Sequence, residues 1–135
     1  MQLISSQGIL RYSVVDPDTY YKVNVEVDPQ ISAYYKGLLP KWYKCNQQRY
    51  APHITVVRKE KPLDLTKWEL YEGKVIDFQY EPVVYNDETY YWLNCYSKDL
   101  ENIRSELGLP IWAKYNCPPD LKHCFHMTIG NRKNI

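Results

Sequence analysis

The chain has no apolar run near the roughly 18 residues that a membrane-spanning helix needs, so no membrane association is expected. Its first residues, MQLISSQGILRYS, lack a basic region, a sustained apolar stretch and a small-residue cleavage site, so a cytoplasmic protein is expected. Charge of one sign is not in excess either. The formal net charge is +1, whereas proteins that coat long duplex nucleic acid usually carry a basic surplus. A small anionic ligand, which needs only a few local cations, stays compatible. Cys-x-x-Cys pairs are missing: Cys45, Cys95, Cys117 and Cys124 fit neither a zinc ribbon nor the disulfide framework of a small secreted domain, and read as reduced thiols. Cys117, His123, Cys124 and His126 do crowd together, and zinc is the competing reading. Strand alternation weakens it by putting His123 and Cys124 on opposite faces.

What is present suits a single α+β domain over 1–135, with lobe-like halves at roughly 1–60 and 61–135, and a monomer. The 14 tyrosines fit half-buried strand walls, and equally a cleft that stacks bases. Thr19-Tyr20-Tyr21-Lys22-Val23-Asn24-Val25 is echoed by Thr89-Tyr90-Tyr91-Trp92-Leu93-Asn94-Cys95. A helix candidate follows each copy. The first opens at Asp28-Pro29, carries Ile31, Tyr34, Tyr35, Leu38 and Leu39 at helical spacing, and stops at Pro40. The second is capped by Ser97, carries Leu100, Ile103 and Leu107 on one face, and ends at Gly108. A short β-branched strand comes next in both halves, HITVVR and HMTIG. The intervening segment reads as a short helical turn and a hairpin near Asn86-Asp87. Two accounts remain: a chance match of two Tyr-rich strands, or a duplication whose lobes face each other across a cleft. The shared downstream order favours duplication and predicts that the two Tyr-rich strands superpose when one half is rotated onto the other.

Two of the three histidines sit in His-x-Thr on these strands. Residues i and i+2 of a strand share a face. His53 therefore projects with Thr55, and His126 with Thr128, while Ile54 and Met127 point into the core. His123 has no such partner and reads as structural. Gly130 falls on the face of His126 and Thr128, where the missing side chain would leave room for substrate or end the strand. Phosphodiester cleavage needs one proton removed from the attacking oxygen and one delivered to the leaving oxygen. A pair of imidazoles can perform both transfers near neutral pH. The two hydroxyls can donate to non-bridging phosphate oxygens. The motifs hold no carboxylate cluster, so a two-metal site is not indicated, and neither metal nor cofactor is expected.

The pair PHITVV and FHMTIG, 73 residues apart between histidines, resembles the signature of the two-histidine (LigT-like) phosphoesterase superfamily. The resemblance implies a bilobal, pseudo-two-fold α+β domain with antiparallel sheets around a central cleft. It also implies metal-independent catalysis by His53, Thr55, His126 and Thr128. Small size, tyrosine richness and GILRYS are further similar to viral anti-CBASS phosphodiesterases, which degrade cyclic di- and trinucleotide immune messengers such as cGAMP. That similarity implies immune evasion in the host cytoplasm and adds Tyr12 as a substrate-binding candidate.

Two loops suit an anionic, base-bearing ligand: Trp42, Tyr43, Lys44, Arg49 and Tyr50 lead into the first motif, and Trp112, Lys114 and Tyr115 precede the second. Each places Trp, Lys and Tyr together for stacking and phosphate neutralisation, although packing aromatics beside solvated lysines would look the same. The expected function is hydrolysis of cyclic oligonucleotide messengers. One alternative is 2′,3′-cyclic phosphodiester, 2′–5′ oligonucleotide or RNA-end processing. Another is a non-catalytic messenger- or RNA-binding protein, against which retention of both full motifs argues.

Overall fold

In a computed structural model that describes residues 2–43, 45–46, 50–111 and 125–133, alternation of apolar and polar residues builds the strands. The described elements are β1 (Ile4–Asp16), β2 (Tyr20–Glu26), α1 (Pro29–Gly37), β3 (His53–Glu60), β4 (Val75–Tyr80), β5 (Tyr85–Asn86), β6 (Tyr90–Tyr96), α2 (Lys98–Glu106) and β7 (Phe125–Asn131). The protein is mixed α+β and mostly antiparallel sheet. None of its described helices is long and apolar enough to cross a membrane.

One face of the sheet is apolar. Val23, Val25, Ile54, Val56, Leu93, Cys95 and Met127 are all fully buried on it. Sequestering each larger side chain contributes about 1.5–3 kcal/mol, so a one-residue slip in any of these strands would expose its whole apolar set. Both helices pack here: α1 lies against β7, and α2 against β4 and β3. Each helix thus reaches across to a strand of the other half.

The predicted caps are present. Asp28 accepts from the Gln30 amide at 2.9 Å, with Pro29 in the first turn of α1. Ser97 accepts from the Leu100 amide at 3.3 Å and donates to the Asp77 carbonyl at 2.7 Å, tying α2 to β4. Leu100, Ile103 and Leu107 are buried as expected. The stripe on α1 is narrower than its sequence suggests: Tyr35 is buried, but Tyr34 and Leu38 are 62% and 60% exposed. Tyr34 and Leu38, one turn apart, lie on the outer edge of the stripe, while Tyr35 with Ile31 and Leu39 packs against the core.

A buried ion pair fixes α2 to β3. Arg104, fully buried, donates to both carboxylate oxygens of Glu60 at 2.9 Å, to the Val56 carbonyl at 2.8 Å and to the Pro110 carbonyl at 2.6 Å. Glu60 reaches this side because the ladder shifts between Tyr21/Glu60 and Lys22/Arg58. The extra residue, Lys59, adopts φ 53°, a left-handed conformation common in bulges and unfavourable for a side chain with a Cβ.

The strands join in one sheet, ordered β4-β1-β2-β3-β7-β6-β5, and β4 also pairs with β6. A division of the chain at residue 60 is therefore not the division of the sheet, because β4 belongs with β1, β2 and β3. The repeat survives in element order but not in register. Asn24 lies opposite Thr55, whereas its counterpart Asn94 lies opposite His126. This offset of two residues preserves which face each side chain occupies, but the Tyr-rich strands do not exchange under the rotation that exchanges the His-x-Thr motifs.

Candidate active site

β3 and β7 are neighbours in the middle of the sheet, and their registered pair is Ile54 opposite Met127. These are the central residues of the two motifs. Extending the antiparallel register by one residue each way sets His53 opposite Thr128 and Thr55 opposite His126. All four are partly exposed, while Ile54 and Met127 are fully buried behind them. The histidines are thus diagonal neighbours on one face, a relation that separates Cα atoms by about 7–8 Å. Side chains from two such positions can close on one tetrahedral anion.

Further strands extend this face. Arg11 lies opposite Asn24, Asn24 opposite Thr55, and Asn94 opposite His126, so a row Arg11–Asn24–Thr55–His126–Asn94 crosses five strands. Beside it run Glu26, His53, Thr128 and Trp92. The sequence carried a signal for these residues: in TYYKVNV and TYYWLNC the asparagine alternates with buried aliphatics, and so must share the face of the histidines.

Each imidazole has its own surroundings. His53 Nδ1 is 2.9 Å from the Ala51 carbonyl. A carbonyl only accepts, so the proton resides on Nδ1, and Nε2 is the nitrogen left to exchange a proton with a ligand. His126 packs against Trp92, with ring centroids 5.3 Å apart and planes tilted by 32°, and Tyr85 stacks on the other side of the indole at 6.4 Å. Trp92 Nε1 donates to Asn94 Oδ1 at 3.0 Å, which fixes the indole. Burial pulls the His126 pKa below the ordinary imidazole value, and the Asp87 carboxylate opposes the shift more weakly. Arg11 spans Glu26 at 3.2 Å and Glu72 at 3.5 Å, both exposed pairs of small energetic weight.

Several supporting residues are placed differently from expectation. Tyr12 is not on this face. It is buried on the apolar side, edge-on to Trp68 at 4.9 Å, and burial pushes its hydroxyl pKa strongly up. The alternation that makes Leu10 and Tyr12 core residues sends Arg11 to the histidine side instead. Gly130 offers no room for substrate. A Cβ there would collide with Cys45 Sγ and lie 2.8 Å from the Asn46 carbonyl, because Asn46 bridges to Asn131 across it. Trp42, Tyr43 and Tyr50 are exposed at 79%, 42% and 68%, on the segment leading into β3. Lys44, Arg49, Trp112, Lys114, Tyr115 and His123 lie outside the described residues, as do Cys117 and Cys124. Cys45 is a free thiol whose pKa burial pushes up against the opposing Lys36 and Arg132 charges, which disfavours the thiolate a nucleophile requires. Among the described residues no group of three or more His, Cys, Asp or Glu is placed to hold a metal ion.

Neither family models, nor curated proteins, nor solved structures yield a match to this chain.

Proposed function

We propose that the protein is a two-histidine phosphodiesterase. It hydrolyses cyclic nucleotides, foremost the cyclic di- and trinucleotides used as immune messengers, in the service of viral evasion of host defence. The observation that carries the reading is the register of β3 on β7. It brings both His-x-Thr motifs together antiparallel, with all four polar side chains on one face. In this reading, β4-β1-β2-β3 and β7-β6-β5 are the two lobes of a LigT-like domain, whose approximate two-fold relates the His-x-Thr strands and not the Tyr-rich ones.

The chemistry divides between the imidazoles. His126, whose neutral form burial favours, accepts the proton of the attacking oxygen, that of water or of a ribose 2′-hydroxyl whose cyclic phosphate product water then opens. His53, with Nδ1 donating to the Ala51 carbonyl in either protonation state, delivers a proton from Nε2 to the leaving oxygen. Thr55 and Thr128 donate to the non-bridging oxygens and hold the phosphorus between the rings. Neither proton transfer requires a metal ion, and turnover in excess EDTA is expected to equal that without it. The deciding experiment incubates the protein in EDTA with cyclic dinucleotides, cyclic trinucleotides, 2′,3′-cyclic mononucleotides and 2′–5′ oligoadenylates, and follows products by chromatography. Cleavage of the first two groups is expected. Binding without cleavage of any of them, or activity that EDTA abolishes and a divalent ion restores, contradicts the proposal.

A further inference from the structure

An imidazole that moves protons needs a fixed ring plane, because the torsion that turns the ring is soft. A hydrogen bond from the second ring nitrogen commonly supplies that hold, and His53 makes one to the Ala51 carbonyl. The described partner of the His126 ring is instead the Trp92 indole, with centroids 5.3 Å apart. Register explains the contact. Trp92 lies opposite Thr128 and is therefore diagonal to His126 across β6 and β7, a relation that aromatic side chains can span. The indole is itself braced. Asn94 Oδ1 accepts from its Nε1 at 3.0 Å, and Tyr85, stacked on it at 6.4 Å, donates to Glu81 Oε1 at 3.0 Å. The core does not call for a tryptophan here, since Tyr91, Leu93 and Cys95 supply the apolar face of β6. The other copy of the repeat has Lys22 at the equivalent place, in the half whose histidine is held by a carbonyl.

We infer that Trp92 is a positioning residue: its ring fixes the plane of the His126 imidazole and stabilises the imidazolium formed when that ring takes a proton. The catalytic consequence rests on the phosphodiesterase reading; the contact with the imidazolium does not. A cation within about 6 Å of an indole centroid is attracted by the negative π face. Two other titratable groups adjoin His126. Asp87, between β5 and β6, favours the charged ring, against the larger opposing effect of burial, and His53 is the diagonal neighbour on β3. Phenylalanine and leucine in place of the indole would both keep the site apolar, but only phenylalanine presents a π face.

Trp92→Phe and Trp92→Leu therefore isolate the contribution of the ring. In the ligand-free protein, His126 is titrated by NMR on isotope-labelled histidine, with its signal assigned by its loss in His126→Asn. Its proton-binding constant should be about threefold larger in Trp92→Phe than in Trp92→Leu. With the cyclic dinucleotide that the wild type cleaves, Trp92→Leu should lower kcat about 10- to 100-fold while substrate affinity changes little. Trp92→Phe should lower it by no more than about threefold. Trp92→Met takes the place of Trp92→Leu if that variant does not fold. Equal titration of His126 in the aromatic and aliphatic variants overturns the inference. So does wild-type kcat in Trp92→Leu, or a kcat in Trp92→Phe as low as in Trp92→Leu. A protein that cleaves while the variants titrate alike loses this inference alone; one whose His126 responds to the ring but which cleaves nothing loses the hydrolase reading alone.

Discussion

On the histidine face the two imidazoles are held in unlike ways, His53 by a carbonyl on Nδ1 and His126 by an indole against its ring. This asymmetry predicts how substitutions behave. His53→Ala and His126→Ala should each lower kcat by about 10²- to 10⁴-fold with little change in substrate affinity, because proton transfer acts only in the transition state. Thr55→Ala and Thr128→Ala should cost on the order of 10- to 1000-fold. Steady-state kinetics beside equilibrium binding separates the two effects, and full activity in His126→Ala would refute the pairing. The depressed His126 pKa also sets a pH dependence. On the proposed reading, in which His126 is the base, the acid limb of kcat/KM should fall below pH about 6.5. Stability follows the same sign. Between the lowered folded value and about 6.5, the unfolded chain binds more protons, so this contribution is complete above that window and lost as pH falls through it. Urea titrations across pH should show the loss in the wild type and its absence in His126→Asn. At this scale the motif residues were readable because strand alternation alone fixes their face. Tyr12 was misplaced because a resemblance put forward a residue that the same alternation, applied to β1, assigns to the core.

At the scale of elements, the joint between α2 and β3 rests on a charge pair that no sequence period announces. Arg104 falls within the buried stripe of α2, and its partner Glu60 is brought round only by the left-handed residue Lys59. Arg104→Met should destabilise the fold by about 3–5 kcal/mol, since it removes the cation that pairs the largely buried Glu60 carboxylate. Adding Glu60→Leu should recover most of that loss, and chemical denaturation of the single and double variants would show it. The helices themselves were legible, since caps and stops are local: Asp28-Pro29 and Ser97 begin them, and Gly108, at φ 73°, follows the second. The repeat was legible as an order of elements but not as a register. The ladders differ by two residues at Asn24 and Asn94, which a periodicity of two cannot reveal, because an even shift leaves every side chain on its original face.

Across the whole molecule, the ladders are uneven. β1–β2, β1–β4, β2–β3 and β6–β7 are each joined by six or seven registered pairs, whereas β3–β7 is joined by one and β4–β6 by two. Two stiff leaves therefore meet along two thin seams, and one of those seams carries both histidines. Local opening follows the joints with the fewest backbone bonds. In deuterium, amides inside the β1–β2 and β6–β7 ladders should exchange only through global unfolding. Amides of β3 and β7 that bond across the seam between them, and not into the β2–β3 or β6–β7 ladders, should exchange sooner, through a book-like parting that leaves each leaf intact. On gradual heating the two histidines would then separate while the circular dichroism of the strands is still unchanged, so, on the proposed function, the temperature of half-inactivation would lie below that of half-unfolding.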